Sequence, residues 1–329
     1  MPASSPTAQQ TPKLVMGIDV CKTRLDLAYS DGEVSAPLDY TPQGVAALVA
    51  LLKQRPVDLV VVESTGGIEQ DLLDALLDAS IPVTRVQPGR VRYFAKASAQ
   101  LAKTDPIDAL VLAQFGLLLK TRLLEKRPET QAELDALVTC RRQLIHVQTE
   151  QNNRRRNVKS KAALKAIDAV LTIVDKQIKS LDEQIKKLID SDEDYRDIDR
   201  ILQSVPGVGI GLSSIVLSSF SELGSMSTNQ TAALIGVAPF NSDSGQQKGK
   251  RHIRGGRLDV RNAFYMAARI AMIYNPVLKA FGDRLTAAGK PYKVVVTACM
   301  RKLAGYLNIM LKQRITWDQL NVTKNLQPT

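Results

Sequence analysis

What the 329-residue sequence has little of already narrows what it can be. Its three cysteines, Cys21, Cys140 and Cys299, are scattered, odd in number and outside any zinc-binding spacing. They argue against a disulfide-stapled scaffold or a structural zinc site and point to a reducing, cytoplasmic compartment. The two histidines, His146 and His252, are too few and too far apart to build a metal site. Aromatic residues make up 5% of the chain, so base stacking on an exposed aromatic sheet is not the expected binding mode. No stretch reads as long and apolar enough to span a membrane, and no secretion signal is expected at the start. Acid is in deficit: 44 Lys and Arg stand against 33 Asp and Glu, a formal net charge of +11. So basic a chain is expected to have an anionic partner, nucleic acid first among the candidates.

What is present is organised around residues 14–20, Leu-Val-Met-Gly-Ile-Asp-Val. This β-branched run reads as a buried strand that ends near one acid, Asp19, and turns through Cys21-Lys22-Thr23. Strands are expected over 25–29 and 33–38, then a helix over 42–54 (Val45, Leu48, Val49, Leu52). A further apolar run, 58–63, ends on Glu63 and is followed by the permissive Ser64-Thr65-Gly66-Gly67. A helix over 68–79 and a strand over 81–86 complete an α/β layer with a mixed sheet. The segment 89–102 carries Arg90, Arg92 and Lys96, with Lys103 next, either as a solvated face or as an approach to a phosphate backbone. Thr104-Asp105-Pro106-Ile107-Asp108 then opens a helix with its two acids on one face. Singly, Asp105 and Asp108 are explained as an N-cap and a first-turn acid. Together, Asp19, Glu63, Asp105 and Asp108 resemble a ribonuclease-H-like nuclease site, whose carboxylates hold Mg²⁺ against a phosphodiester.

Residues 128–190 contain no glycine and are densely charged. Their second half keeps a three-four repeat through Leu164, Ile167, Leu171, Val174, Ile178, Leu181, Ile185 and Leu188, a coiled-coil seam. Residues 134–147 are also helical, so a hairpin or pair of long helices is expected, packed on itself or shared with a second subunit. Between the halves lie Arg154, Arg155 and Arg156, then Lys159, Lys161 and Lys165, with Arg141 and Arg142 nearby. Their one-sided charge points to phosphate contact. Beyond Tyr195, Val205-Pro206-Gly207-Val208-Gly209 resembles the turn of a helix-hairpin-helix motif, whose glycines admit a DNA phosphate to backbone amides. Residues 236–245 form a Ser-rich loop, followed by Lys248, Lys250, Arg251, His252, Arg254 and Arg257. A serine in that loop could attack a phosphodiester whose charge the cations offset. Residues 258–275 and 292–311 read as two apolar core helices.

In order along the chain, Gly17-Ile18-Asp19, Glu63-Ser64-Thr65-Gly66-Gly67, 103–109, Pro206-Gly207-Val208-Gly209 and 236–245 resemble the DEDD insertion-sequence transposases. These are relatives of the Piv-type DNA invertases, also known as bridge-RNA-guided recombinases. The resemblance implies a RuvC-like (ribonuclease-H-like) α/β domain over 13–127, behind a disordered lead-in at 1–12. It implies coiled-coil helices over 128–194 and a mostly α-helical transposase domain with a helix-hairpin-helix-like motif over 195–329. It implies that Asp19, Glu63, Asp105 and Asp108 bind Mg²⁺ and that a serine becomes joined to DNA. Ser242 and Ser244 are both available, and the family's Asp-Ser-Gly pattern points to Ser244. It further implies donor and target DNA, a non-coding guide (bridge) RNA, and a homo-oligomer, a dimer that becomes a tetramer on DNA, associated with the nucleoid. Candidate nucleic-acid contacts are Arg141, Arg142, Arg154, Arg155, Arg156, Lys159, Lys161, Gly207, Gly209, Lys248, Lys250, Arg251, Arg254 and Arg257. Two other functions fit the same residues: an Mg²⁺-dependent endonuclease that hydrolyses DNA, and a non-catalytic nucleic-acid scaffold whose acids serve as caps.

Overall fold

Residues Val15–Val20 form β1, the centre of a five-stranded sheet, in the computed structural model, which describes residues 12–98, 105–126, 128–240, 243–244, 247–248 and 251–320. For 105–106, 243–244 and 247–248 the description covers the backbone alone. The lead-in expected at 1–12 therefore lies outside it except for Pro12. The chain divides into two compact units, Met1–Arg127 and Pro128–Thr329.

In the first unit, β2 (Arg24–Tyr29) returns antiparallel to β1, and β3 (Leu38–Asp39) pairs antiparallel with β2. On the other side, β4 (Leu59–Glu63) and β5 (Val83–Val86) run parallel to β1, giving the order β3-β2-β1-β4-β5. The strand expected over 33–38 does not form as such. Val34 makes an isolated bridge to Ala28 and the ladder resumes only at Leu38, after Pro37, which has no N–H to donate.

Alternation along the strands sorts their side chains into two faces. Met16, Ile18, Val20, Val60 and Val62 pack with Leu48 and Leu52 of α1 (Pro42–Gln54) and Leu72, Leu73 and Leu76 of α2 (Gln70–Asp78). Val15, Leu59 and Val61 pack on the opposite face with Val91 of α3 (Pro88–Ala97) and Val111, Leu112 and Phe115 of α4 (Asp105–Leu118). There the fit is close. A Cβ at Gly17 would overlap the Ala109 carbonyl oxygen and the Ala113 amide nitrogen, so helix backbone rests on strand backbone.

In the second unit, α5 (Glu129–Asn157) and α6 (Lys161–Ser191) form the expected helical hairpin, packed on itself. Arg141 pairs with Asp182, Gln148 donates to Asp175 at 2.6 Å and Arg155 pairs with Asp168, each contact one heptad from the next on both helices. The seam is buried at Val174, Leu181 and Ile185 and only partly so at Leu164, Ile167, Leu171, Ile178 and Leu188. At its base Leu134, Val138, Ile185 and Ile189 pack on Leu217 of α8 (Ile210–Ser219), which α7 (Glu193–Gln203) precedes.

The larger core joins α8, α9 (Thr228–Ile235), α10 (Leu258–Tyr274), α11 (Pro276–Ala287) and α12 (Tyr292–Gln313). Contrary to the sequence reading, α12 is long and apolar enough to cross a membrane. Its most apolar window is 61% buried, however, which makes it a core helix of this unit.

Gly17→Ala is expected to destabilise the first unit by at least the ~1–3 kcal/mol typical of overpacking, because the obstructing atoms are backbone and cannot repack. Denaturant unfolding would measure it, and a wild-type midpoint would show that α4 can lift from β1 without cost.

Candidate functional site

On β1, Asp19 alternates with Gly17 and Val15, and on β4, Glu63 alternates with Val61 and Leu59. Both acids therefore belong to the face that α3 and α4 cover. Helix α4 runs against these strands: Ala109 lies on Gly17, whereas a Cβ at Gly116 would meet Val61 at 2.4 Å or less and Val15 at 3.0 Å, nearer the strand starts. Its first turn, with Asp105 and Asp108, thus lies toward the strand ends that carry Asp19 and Glu63. Asp19, Glu63 and Asp108 are each half-buried and each takes part in polar or electrostatic contacts. The side chain of Asp105 lies outside the described residues, and among the described residues no three metal-ligating side chains form a closed group. Asp19, Glu63 and Asp108 lie toward the same end of the sheet without forming such a group, and carboxylate oxygens are donors of the kind a hard divalent cation takes.

The loop after Glu63 is fixed by a residue that the sequence reading missed. Glu69 is 1% exposed, and its carboxylate accepts from the Thr65 hydroxyl at 2.8 Å, the Gly67 amide at 2.9 Å, the Thr65 amide at 3.2 Å and the Ser64 hydroxyl at 3.3 Å. Arg85 Nη1 stands 3.6 Å away. Gly66 and Gly67, with φ of 84° and 113°, make the turn that lets these groups converge. Burial would raise the Glu69 carboxyl, but hydrogen bonds from its own backbone, Thr65 and Gly67 outweigh it and hold the group below its ordinary value of 4.5. The hint in the sequence was an acid two residues after a Gly-Gly turn. A cavity of about 480 Å³ lies beside Asp58 and Leu117–Leu119, at the opposite end of the sheet from the acids.

In the second unit, β6 (Pro239–Phe240) pairs with β9 (His252–Ile253), and β7 (Asp243–Ser244) pairs with β8 (Gln247–Lys248). These pairings nest, so the Ser244 backbone sits opposite Gln247 at the tip of a hairpin. The hairpin is rooted where Gly236 and Gly256 approach each other closely: a Cβ at Gly256 would overlap the Gly236 amide. Arg261 donates to the Gly255 carbonyl at 2.9 Å beside it. Ser242, Gly245 and Lys250 lie outside the described residues, as do the side chains of Ser244 and Lys248. Arg251 and Arg254 are exposed, whereas Arg257 donates to both Glu222 carboxylate oxygens and to the Ser219 carbonyl.

The other cations divide in the same way. Arg141 is held by Asp182, Arg142 by Asp259, Arg154 by Glu150 and Arg155 by Asp168. Arg156, Lys159, Lys161 and Lys165, at the hairpin tip, are exposed. A Cβ at Gly207 would come within 2.5 Å of the Ala271 backbone, so this glycine serves the packing of α10. Gly209, at the N-cap of α8, is exposed and has open space around its Cα.

The family model for DEDD transposases of the IS110 type matches residues 16–161, and that for the IS116/IS110/IS902 transposase family matches residues 199–283. The chain is 26% identical to the pilin gene-inverting protein of Moraxella bovis over 321 residues, 93% of this chain and 98% of the relative. The pilin gene-inverting protein of Moraxella lacunata matches to the same extent. An uncharacterised 43.6 kDa protein of the insertion element IS110 from Streptomyces coelicolor is 28% identical over 114 residues, 34% of this chain and 28% of the relative.

Glu69→Gln is expected to lower stability at pH 7 by about 1–3 kcal/mol, since the amide keeps one acceptor oxygen but loses the charge and places an N–H donor against Ser64 and Arg85. A carboxyl depressed by folding stabilises above its unfolded value and loses that contribution as pH falls through its folded one. The difference from wild type should accordingly be full at neutral pH and shrink below about pH 4.5. A difference independent of pH would show that the charge of Glu69 does not hold the loop.

Proposed function

The chain belongs to the IS110-type family of DEDD insertion-sequence transposases and is a DNA recombinase, and from that premise we propose that it cuts and rejoins DNA through a serine ester under RNA guidance. The observation that carries the reading is the placement of the α4 acids toward the same sheet end as Asp19 and Glu63. A mixed sheet with β1 at its centre and α4 laid across it supports a RuvC-like first domain. In this reading Asp19, Glu63, Asp105 and Asp108 hold Mg²⁺. The ion supplies charge stabilisation for the attacking and leaving oxygens of a phosphodiester.

Ser244 supplies the nucleophile. Its Oγ bonds to phosphorus, the bond from phosphorus to one deoxyribose oxygen breaks, and the serine proton ends on that leaving oxygen. The reverse attack by another strand's hydroxyl frees the serine and rejoins the ends, so the ester conserves the energy that hydrolysis would discard. Two relatives are named for inverting a gene, and inversion requires rejoined ends. This favours transfer over a purely hydrolytic endonuclease. Donor and target DNA are the substrates, and the exposed cations at the tip of the α5–α6 hairpin are the contacts offered to a guide RNA. The heptad-spaced seam of that hairpin supports the coiled-coil reading. The homo-oligomer brings one protomer's Ser244 to another's acids.

With Mg²⁺, DNA and guide RNA present, wild-type protein should leave a denaturation-resistant protein–DNA adduct at Ser244. Ser244→Ala and Asp105→Ala should each abolish it, and mixing Asp19→Ala with Ser244→Ala should restore part of the cleavage. Normal cleavage by Ser244→Ala without an adduct would instead establish hydrolysis.

Ion pairing also ranks the cations. Replacing Arg156, Lys159, Lys161 and Lys165 by Ala should flatten the salt dependence of RNA binding by roughly 0.7–0.9 per lost phosphate contact. Replacing the paired Arg154 and Arg155 should change it less. Equal slopes for the two variants would remove the hairpin tip as the contact.

A further inference from the structure

A fifth carboxylate stands beside Asp19, outside the four acids considered so far. Asp26 of β2 is the register partner of Asp19 on β1. Directly opposed residues of an antiparallel pair project from the same face, so Asp26 belongs to the α4-covered face together with Gly17 and Asp19. It is 6% exposed, and Arg24 Nε donates to its Oδ2 at 3.0 Å. The Arg24 side chain, further along the same face of β2, is 43% exposed. Like charges directly opposed across strands repel, and burying a carboxylate is costly. A neutral residue opposite Asp19 would avoid both costs, yet the fold places a charge there and tethers it with an arginine.

We propose that Asp26 is a positioning residue of the acidic site, whose charge, held by Arg24, strengthens the field at Asp19 and so sets the affinity for the divalent cation. This rests on the reading of Asp19 as a metal ligand. Asp26 raises cation affinity and Arg24 lowers it, so removing their charges has opposite effects. A residue needed only to satisfy its ion-pair partner would behave differently. Losing either partner would lower the melting temperature without metal and leave the metal dependence alone.

The test follows thermal unfolding of the full-length protein against Mg²⁺ concentration, which reads binding without catalysis. Asp26→Asn should raise the Mg²⁺ concentration for half-maximal stabilisation by about 10-fold or more, the usual cost of removing a residue behind a metal ligand. Arg24→Gln should lower it. Should Asp26→Asn fail to fold, the direction of the Arg24→Gln shift decides alone. Wild-type Mg²⁺ dependence in both variants, or an upward shift in both, overturns the proposal. Asp19→Asn separates it from its premise. If Mg²⁺ stabilises Asp19→Asn as it does wild type, the metal assignment of Asp19 fails. If Asp19→Asn loses the effect and Asp26→Asn keeps it, only the role of Asp26 fails.

Discussion

The contact of α4 with β1 is the constraint on which the first unit depends. Gly17 has no side chain, and for that reason Ala109 and Ala113 can bring helix backbone onto strand backbone. Seven residues beyond Ala109, Gly116 makes a second close seat, where a Cβ would meet the Val61 and Val15 side chains. With two such points the helix has a fixed direction and depth on the sheet. The start of α4 then lies toward the ends of β1 and β4, the end of the sheet that carries Asp19 and Glu63. The energetic logic is that of any packed interior: one added methyl group meets atoms that cannot yield.

Part of the basic charge in the second unit is paired with carboxylates. The sequence shows a long basic stretch, but its arginines at 141, 142, 154 and 155 are engaged by carboxylates. Exposed pairs of this kind are individually weak, about 0–1 kcal/mol, and serve to orient more than to stabilise. At the tip of the hairpin, about 35 Å of helix rise from Leu134 at its base, Arg156, Lys159, Lys161 and Lys165 are exposed. Apolar burial follows the opposite gradient, complete at the base and partial toward the tip.

Much of this was legible in the residues. Apolar runs that end near Asp19 and on Glu63 became β1 and β4, and the helix opened by Asp105 and Asp108 became α4. Parity along the strands would even have put Asp19 on the face of Gly17. Asp26 was not legible, because in Arg-Leu-Asp-Leu-Ala-Tyr it reads as an ordinary solvent-facing polar residue. Only the pairing register and the helix above it bury that position. Glu69 was hidden for a related reason: its partners lie in a loop whose path depends on positive φ at two glycines. The ion pairs of Arg141, Arg142 and Arg155 were not legible because their acids stand on another helix. The heptad recurrence of Asp168, Asp175 and Asp182 opposite Arg141, Gln148 and Arg155 was nevertheless present in the sequence.

The close seat of α4 on β1 has a consequence in time as well as in space. A central strand bonded on both edges and covered on both faces has no local opening of low cost, so its amides exchange with solvent only when the unit opens as a whole. Local opening of the strand that bears Asp19 is therefore too costly to pace a reaction cycle.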